Sequence, residues 1–84
     1  MKHIPETFAE MVGLRLAAIR KVKEISQDEA GRYIGITQSA YSRIERGTTT
    51  LNITQLRRLA RFFDMPPSEL ARDLFKAGER APWI

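Results

Sequence analysis

Cysteine is absent from the 84 residues, which excludes a disulfide framework and any metal site built on thiolates. Histidine occurs once, at His3, so no second imidazole is available for a metal cluster or an acid–base pair. No pair of acids, nucleophile–base set or glycine-rich phosphate loop stands out, and neither an enzyme nor a bound cofactor or metal is expected. Long apolar runs are missing too: none approaches the roughly 20 residues that span a bilayer. The opening residues, MKHIPETF, lack the apolar stretch of a secretory signal, so a cytoplasmic protein with no membrane partner is the expectation. Aromatic residues are few, at 8%, and lack the exposed pattern on which RNA bases stack. No internal repeat or low-complexity segment interrupts the chain.

With cross-links excluded, stability must come from helix packing. A hydrophobic content of 43% is ordinary for a folded globule, and this length holds one modest core. The net charge of +4 and a pI of about 10 favour an anionic partner, such as nucleic acid or an acidic surface. The pattern divides the chain into a loose arm (1–6), a helical domain (7–78) and a tail (79–84). In the arm, Pro5 disfavours helix at Ile4, while Lys2 and His3 could reach a phosphate. Thr7 with Glu10 forms a capping box for a first helix, whose stripe is Phe8, Val12, Leu16, Ile19 and Val22 or Lys23. Leu14, Ala17 and Ala18 lie off that stripe.

Further on, Asn52 and Gln55 cap a helix with the apolar face Ile53, Leu56, Leu59, Ala60 and Phe63, and Leu51 can staple against Leu56. Arg57, Arg58 and Arg61 decorate its other side, suiting either a DNA backbone or a solvated surface. Asp64 tolerates a left-handed turn, and Pro66-Pro67 redirects the chain with Pro67 as the first residue of a last helix. That helix docks through Leu70, Leu74 and Phe75 until Gly78 ends it.

The most informative stretch is Ser26 to Gly47, SQDEAGRYIGITQSAYSRIERG. Ser26 and Glu29 form a capping box for a helix over Gln27 to Ile34. Gly35 suits the left-handed residue that ends it. Thr37 caps a second helix, Gln38 to Arg46, which Gly47 stops. Two short helices joined by so tight a turn must cross steeply, the arrangement that offers its second helix (38–46) to a DNA major groove. Gln38, Ser39, Ser42 and Arg43 are suited to base edges: glutamine pairs with adenine, arginine with guanine, and serine adapts to either. A helical hairpin whose polar face simply meets water satisfies the same pattern.

Ser26-Gln27, Gly35, Ser42 and Glu45-Arg46-Gly47 stand at the spacing of the phage repressor and Cro-like (XRE-type) helix-turn-helix family, which the chain resembles. Val12-Gly13 and Leu16-Ile19-Arg20 are similar to that family's first helix, and Leu56, Leu59, Ala60 and Leu70 fall where its later helices carry core residues. The resemblance covers roughly Val12 to Leu70. It implies an all-α, compact five-helix, lambda-repressor-like domain. It also implies an Arg20–Glu45 ion pair tying the first helix to the third, and a Gln27 that contacts phosphate and braces Gln38. Thr48, Thr49, Thr50, Asn52 and Arg57 would complete the phosphate contacts. The chain departs from the family at Glu24, where glycine is frequent, and at Ala30-Gly31, where leucine then alanine is common. Tyr41 would refill volume that Ala30 leaves.

The resemblance implies a sequence-specific transcriptional regulator, a repressor that binds double-stranded DNA as a homodimer on a pseudo-palindromic operator. A cytoplasmic, nucleoid-associated protein of bacterial or phage origin fits that role. An alternative of a different class is an antitoxin that binds a partner toxin and regulates its own operon. Leu14 and the Trp83-Ile84 tail would then serve the toxin.

Overall fold

Thr7, in extended geometry, opens helix α1 (Phe8–Val22) by accepting the Glu10 N–H at its Oγ1, 3.0 Å away. The computed structural model describes residues 4–80, so the expectations for Lys2, His3 and the Trp83-Ile84 tail lie outside the described residues. Glu10 reaches one residue further back than a capping box requires: its Oε1 accepts from the Glu6 N–H and the Thr7 hydroxyl, each at 3.2 Å. Ser26 and Glu29 close a full box at α2 (Gln27–Ile34), and Gly35 ends that helix at φ 83°. Thr37 caps α3 (Gln38–Arg46) through the Ala40 N–H, and Gly47 ends it at φ 81°. Asn52 and Gln55 box α4 (Ile53–Phe62), and Pro67 is the first residue of α5 (Pro67–Glu79). Among the described residues there are five helices and no strand.

The helices close a ring of packing. α1 lies against α3 and α5, α2 against α3 and α4, and α4 against α5. Inside sit Leu16, Ile19, Ile34, Ile44, Leu59, Phe63, Leu70 and Leu74, with Ala30, Tyr41 and Ala60. Gly13 sets how closely α1 meets α3: a Cβ there would fall 2.2 Å from the carbonyl oxygen of Glu45. Tyr33 stacks on Phe62 at 4.3 Å between ring centres, joining α2 to α4. Arg15 grips Asp73 with two bonds of 2.6 and 3.0 Å, joining α1 to α5 at the surface. Such exposed pairs contribute at most about 1 kcal/mol, so burial rather than charge holds the ring.

Several apolar positions depart from their periodicity. Val22 is 84% exposed, because α1 has run past the core by its last residue. Ile53 is 83% exposed: as the first residue of α4 it precedes the turn that meets the core. Phe75 is also exposed, and Leu74 takes the core position of that turn. Gly78 does not end α5. It is buried one residue before the helix ends, where a Cβ would strike the Phe8 ring at 2.2 Å. Glu24 and Asp64 both adopt left-handed geometry, at φ 57° and 58°. The glutamate thus keeps the turn a glycine would make, at a local cost of about 1–2 kcal/mol.

Tyr41 is among the largest fully buried side chains, in the same core as Ala30. Its hydroxyl lies close to Glu45 and Arg20 but makes no hydrogen bond of good geometry among the described residues. Burial, and then the negative charge of Glu45, push its pKa well above the usual phenol range. An orphaned buried hydroxyl costs about 1–3 kcal/mol, whereas the ring fills volume worth about 3–5 kcal/mol. Urea unfolding should therefore show Tyr41→Phe at least as stable as the parent and Tyr41→Ala weaker by about 3–5 kcal/mol. A Tyr41→Phe protein clearly less stable than the parent would mean that the hydroxyl is satisfied in solution.

Candidate nucleic-acid interface

Helix α3 has one face fixed and one face free. Tyr41, Ile44 and Glu45 are buried, while Gln38, Ser39, Arg43 and Arg46 are exposed and Ser42 is half-buried between them. Among the described residues, the side chains of Gln38, Ser39 and Arg43 are committed to no hydrogen bond or ion pair. Ser42 is committed: its Oγ accepts from Arg46 Nη1 at 2.7 Å. Arg46 therefore shares the exposed face with the four base-reading candidates, four residues after Ser42. Sequence reasoning passed over it as part of the helix-ending ERG, although that spacing places a second arginine on the same face.

The fixed face is held from three directions. Arg20 Nε and Nη2 donate to Glu45 Oε2 and Oε1 at 2.7 and 3.0 Å. Arg20 Nη1 donates to the Ile25 carbonyl at 2.8 Å, in the α1–α2 turn. Gln27 Nε2 donates to Glu45 Oε1 at 2.9 Å. The Gln27 amide thus turns to Glu45 and does not brace Gln38, because the buried carboxylate is the stronger acceptor. Burial pushes the Glu45 carboxyl up, but the hydrogen bonds from Arg20 and Gln27 outweigh it and hold the pKa below its ordinary 4.5. The Arg20 guanidinium is raised, chiefly by the same bond.

The phosphate candidates are less alike than their sequence suggests. Thr48 spends both of its donors on the end of α3: its N–H and its hydroxyl bond the Arg43 carbonyl at 3.0 and 3.1 Å. Thr49 and Thr50 are exposed in the loop that follows. Asn52 is exposed, and its Oδ1 accepts the Gln55 N–H at 2.7 Å. Arg57 is exposed beside Arg61 and Pro66 at the α4–α5 turn. Arg58 turns the other way, donating at 3.5 Å to the Ile34 carbonyl where α2 ends. The three arginines of α4 therefore do not act as one patch. No group of three or more metal-ligating side chains occurs among the described residues.

Glu45 links this geometry to pH. With its folded pKa below its unfolded one, the carboxylate stabilises the fold fully above about pH 4.5 and loses that contribution as pH falls through the folded value. Thermal melts should show the parent losing stability as pH falls below 4.5. Glu45→Gln should be weaker at neutral pH and flatter below it. Parallel pH profiles for the two proteins would sink this assignment.

The helix-turn-helix family profile matches residues 16–70. Over 63 residues the chain is 27% identical to the cryptic phage CTXphi transcriptional repressor RstR of Vibrio cholerae, covering 75% of this chain and 57% of that protein. The chain thus spans little more than half the length of that relative. The crystal structure of the clp gene regulator ClgR from Corynebacterium glutamicum superposes with a TM-score of 0.75 at 17% identity, over 89% of this chain and 81% of that one. That second likeness is one of fold.

Proposed function

Because the chain belongs to the helix-turn-helix family, we propose that it is a sequence-specific DNA-binding regulator of transcription, a repressor that occupies a pseudo-palindromic operator as a dimer. Its work is binding, without chemistry. The observation that carries this reading is the two-sided α3. A helix whose inner face is clamped by Arg20 and Gln27 through Glu45, and whose outer face offers uncommitted Gln38, Ser39 and Arg43, is a rigid probe with free hydrogen-bonding groups.

In this reading Gln38, Ser39, Ser42 and Arg43 meet base edges in the major groove, one half-site per copy. Ser42 presents its hydroxyl together with the Arg46 guanidinium that holds it. Thr49, Thr50, Asn52 and Arg57 hold phosphates, with one amide hydrogen of Gln27. Thr48 contributes as the residue that closes the recognition helix. The excess of Lys and Arg supplies affinity by releasing counterions, and the α3 contacts supply the preference. Repression follows when the bound protein excludes polymerase from an overlapping promoter. The name of the relative from the Vibrio cholerae phage, a transcriptional repressor, supports that sign of regulation. The toxin-binding alternative rests, among the described residues, on the small patch of Leu14 with Ala17 and Ala18, and scattered apolar groups of that size are common on any monomer. The operator reading is therefore the one kept.

Selection from a random duplex pool at two salt concentrations, with sequencing of the bound fraction, tests the reading. An enriched palindrome that persists at the higher salt is expected. On the selected site Gln38→Ala should lose about 1–3 kcal/mol of discrimination at one base position. An equal loss on every sequence would remove Gln38 from the base readers. Arg57→Ala should weaken all sequences alike and reduce the salt slope by about one. A changed base preference in that variant would contradict its placement on phosphate.

A further inference from the structure

The exposed side chain of Ile53 does not stand alone. It lines a groove of about 360 Å³ between the starts of α1 and α4 and one side of α5, together with Phe8, Val12, Leu56, Leu74 and Phe75. Among the described residues the groove carries no charged side chain, and its polar lining comes from Thr50 and Asn52. Phe75 remains 58% exposed even with its ring 5.5 Å from that of Phe8. The other exposed apolar side chains, such as Val22 and Leu14, lie outside it. Two protruding apolar side chains, Ile53 and Phe75, converge here with half-buried Phe8, Val12 and Leu56, which marks a surface built to be covered.

We propose that a second copy of this chain covers the groove, with Ile53 of each copy seated against the other across a two-fold axis. Three observations select that occupant. A protruding isoleucine beside an apolar hollow is a knob next to a hole, and a two-fold contact needs both on one surface. The chain carries a net charge of +4, so two copies repel wherever their basic faces meet; the groove is a face on which they touch without like charges. The molecule measures 32 × 28 × 22 Å. Joined along the longest of these, two copies set their centres about 32 Å apart, close to the roughly 34 Å that separates half-sites one helical turn apart. Thr50 and Asn52 make the groove contiguous with the loop assigned to phosphate. The proposal rests on the operator reading for its use on DNA, although the contact itself can be tested without DNA.

A groove of this size buries less than the roughly 1,200 Å² of a stable complex, so a weak dimer that DNA completes is expected. The test is sedimentation equilibrium of the full chain over a concentration series, without DNA and with the selected palindrome or its half-site. Ile53→Glu is the probe. The side chain is exposed, and an acid suits the first turn of a helix, so folding is spared; circular dichroism checks this. The parent should move toward twice its 9.6 kDa with concentration or on the palindrome, and Ile53→Glu should stay monomeric. The new carboxylate beside Asn52 weakens half-site binding as well, so the contact is read from the further loss, roughly a hundredfold, that the variant shows on the palindrome alone.

A parent that stays monomeric both free and on the palindrome overturns the proposal. So does a dimer that Ile53→Glu leaves intact, since the contact then lies elsewhere. If removal of residues 81–84 makes a monomeric parent dimerise, the groove belongs to the chain's own tail and the proposal falls. Loss of self-association in Ile53→Glu without any selected DNA sequence would uphold the contact and refute the operator reading instead.

Discussion

The buried Arg20–Glu45 pair is the constraint on which the rest of this structure depends. A lone carboxylate inside so small a core would be too costly, and so would a lone guanidinium. Here each satisfies the other with two bonds. Arg20 also takes the Ile25 carbonyl of the α1–α2 turn, and Gln27 at the start of α2 adds its amide to Glu45. One cluster therefore fixes α1, the turn after it, α2 and α3. Breaking such a cluster from one side costs about 3–5 kcal/mol, a large share of the stability of a domain this size.

Around that cluster the packing is decided by small residues and by backbone geometry. Gly13 brings α1 within reach of the α3 backbone, which places Arg20 two turns later beside Glu45. Gly31 stands against the Ile36 and Thr37 carbonyls, so α2 and α3 cross closely. The chain then carries Tyr41 in the core it shares with Ala30, trading a larger side chain for an unpaired hydroxyl. Left-handed Glu24 shows the same economy of shape: the turn geometry is retained, although the residue lacks the freedom of glycine.

The outer face of α3 is free because the inner face is so fully engaged. Its polar groups differ in readiness. Gln38, Ser39 and Arg43 are uncommitted, Ser42 is held by Arg46, and Thr48 is spent on ending the helix. The apolar groove at Ile53 and Phe75 lies at the edge of the neighbouring loop. In the reading proposed for this chain, recognition and pairing would thus share one continuous surface.

Local chemistry makes much of this legible in the amino-acid sequence. Ser26 with Glu29, Thr37, and Asn52 with Gln55 are caps whose partners lie three residues away. Gly35 and Gly47 are stops whose reason is a backbone angle at one position. Those features, and the turn between α2 and α3, follow from neighbours in the chain. What neighbours cannot specify is which face of a helix end still meets the core. Ile53 and Val22 satisfy the period but lie beyond the last contact, and Gly78, a stop by composition, is a packing residue by its distance from Phe8. Gln27 turned to Glu45, and Arg58 turned to the Ile34 carbonyl while Arg57 faced outward, because partners 18 and 24 residues away came within reach. The sequence by itself determined where the helices begin and where α2 and α3 end. Tertiary packing decided which of their side chains were left free to bind, since burial and long-range hydrogen bonds exist only once the ring has closed.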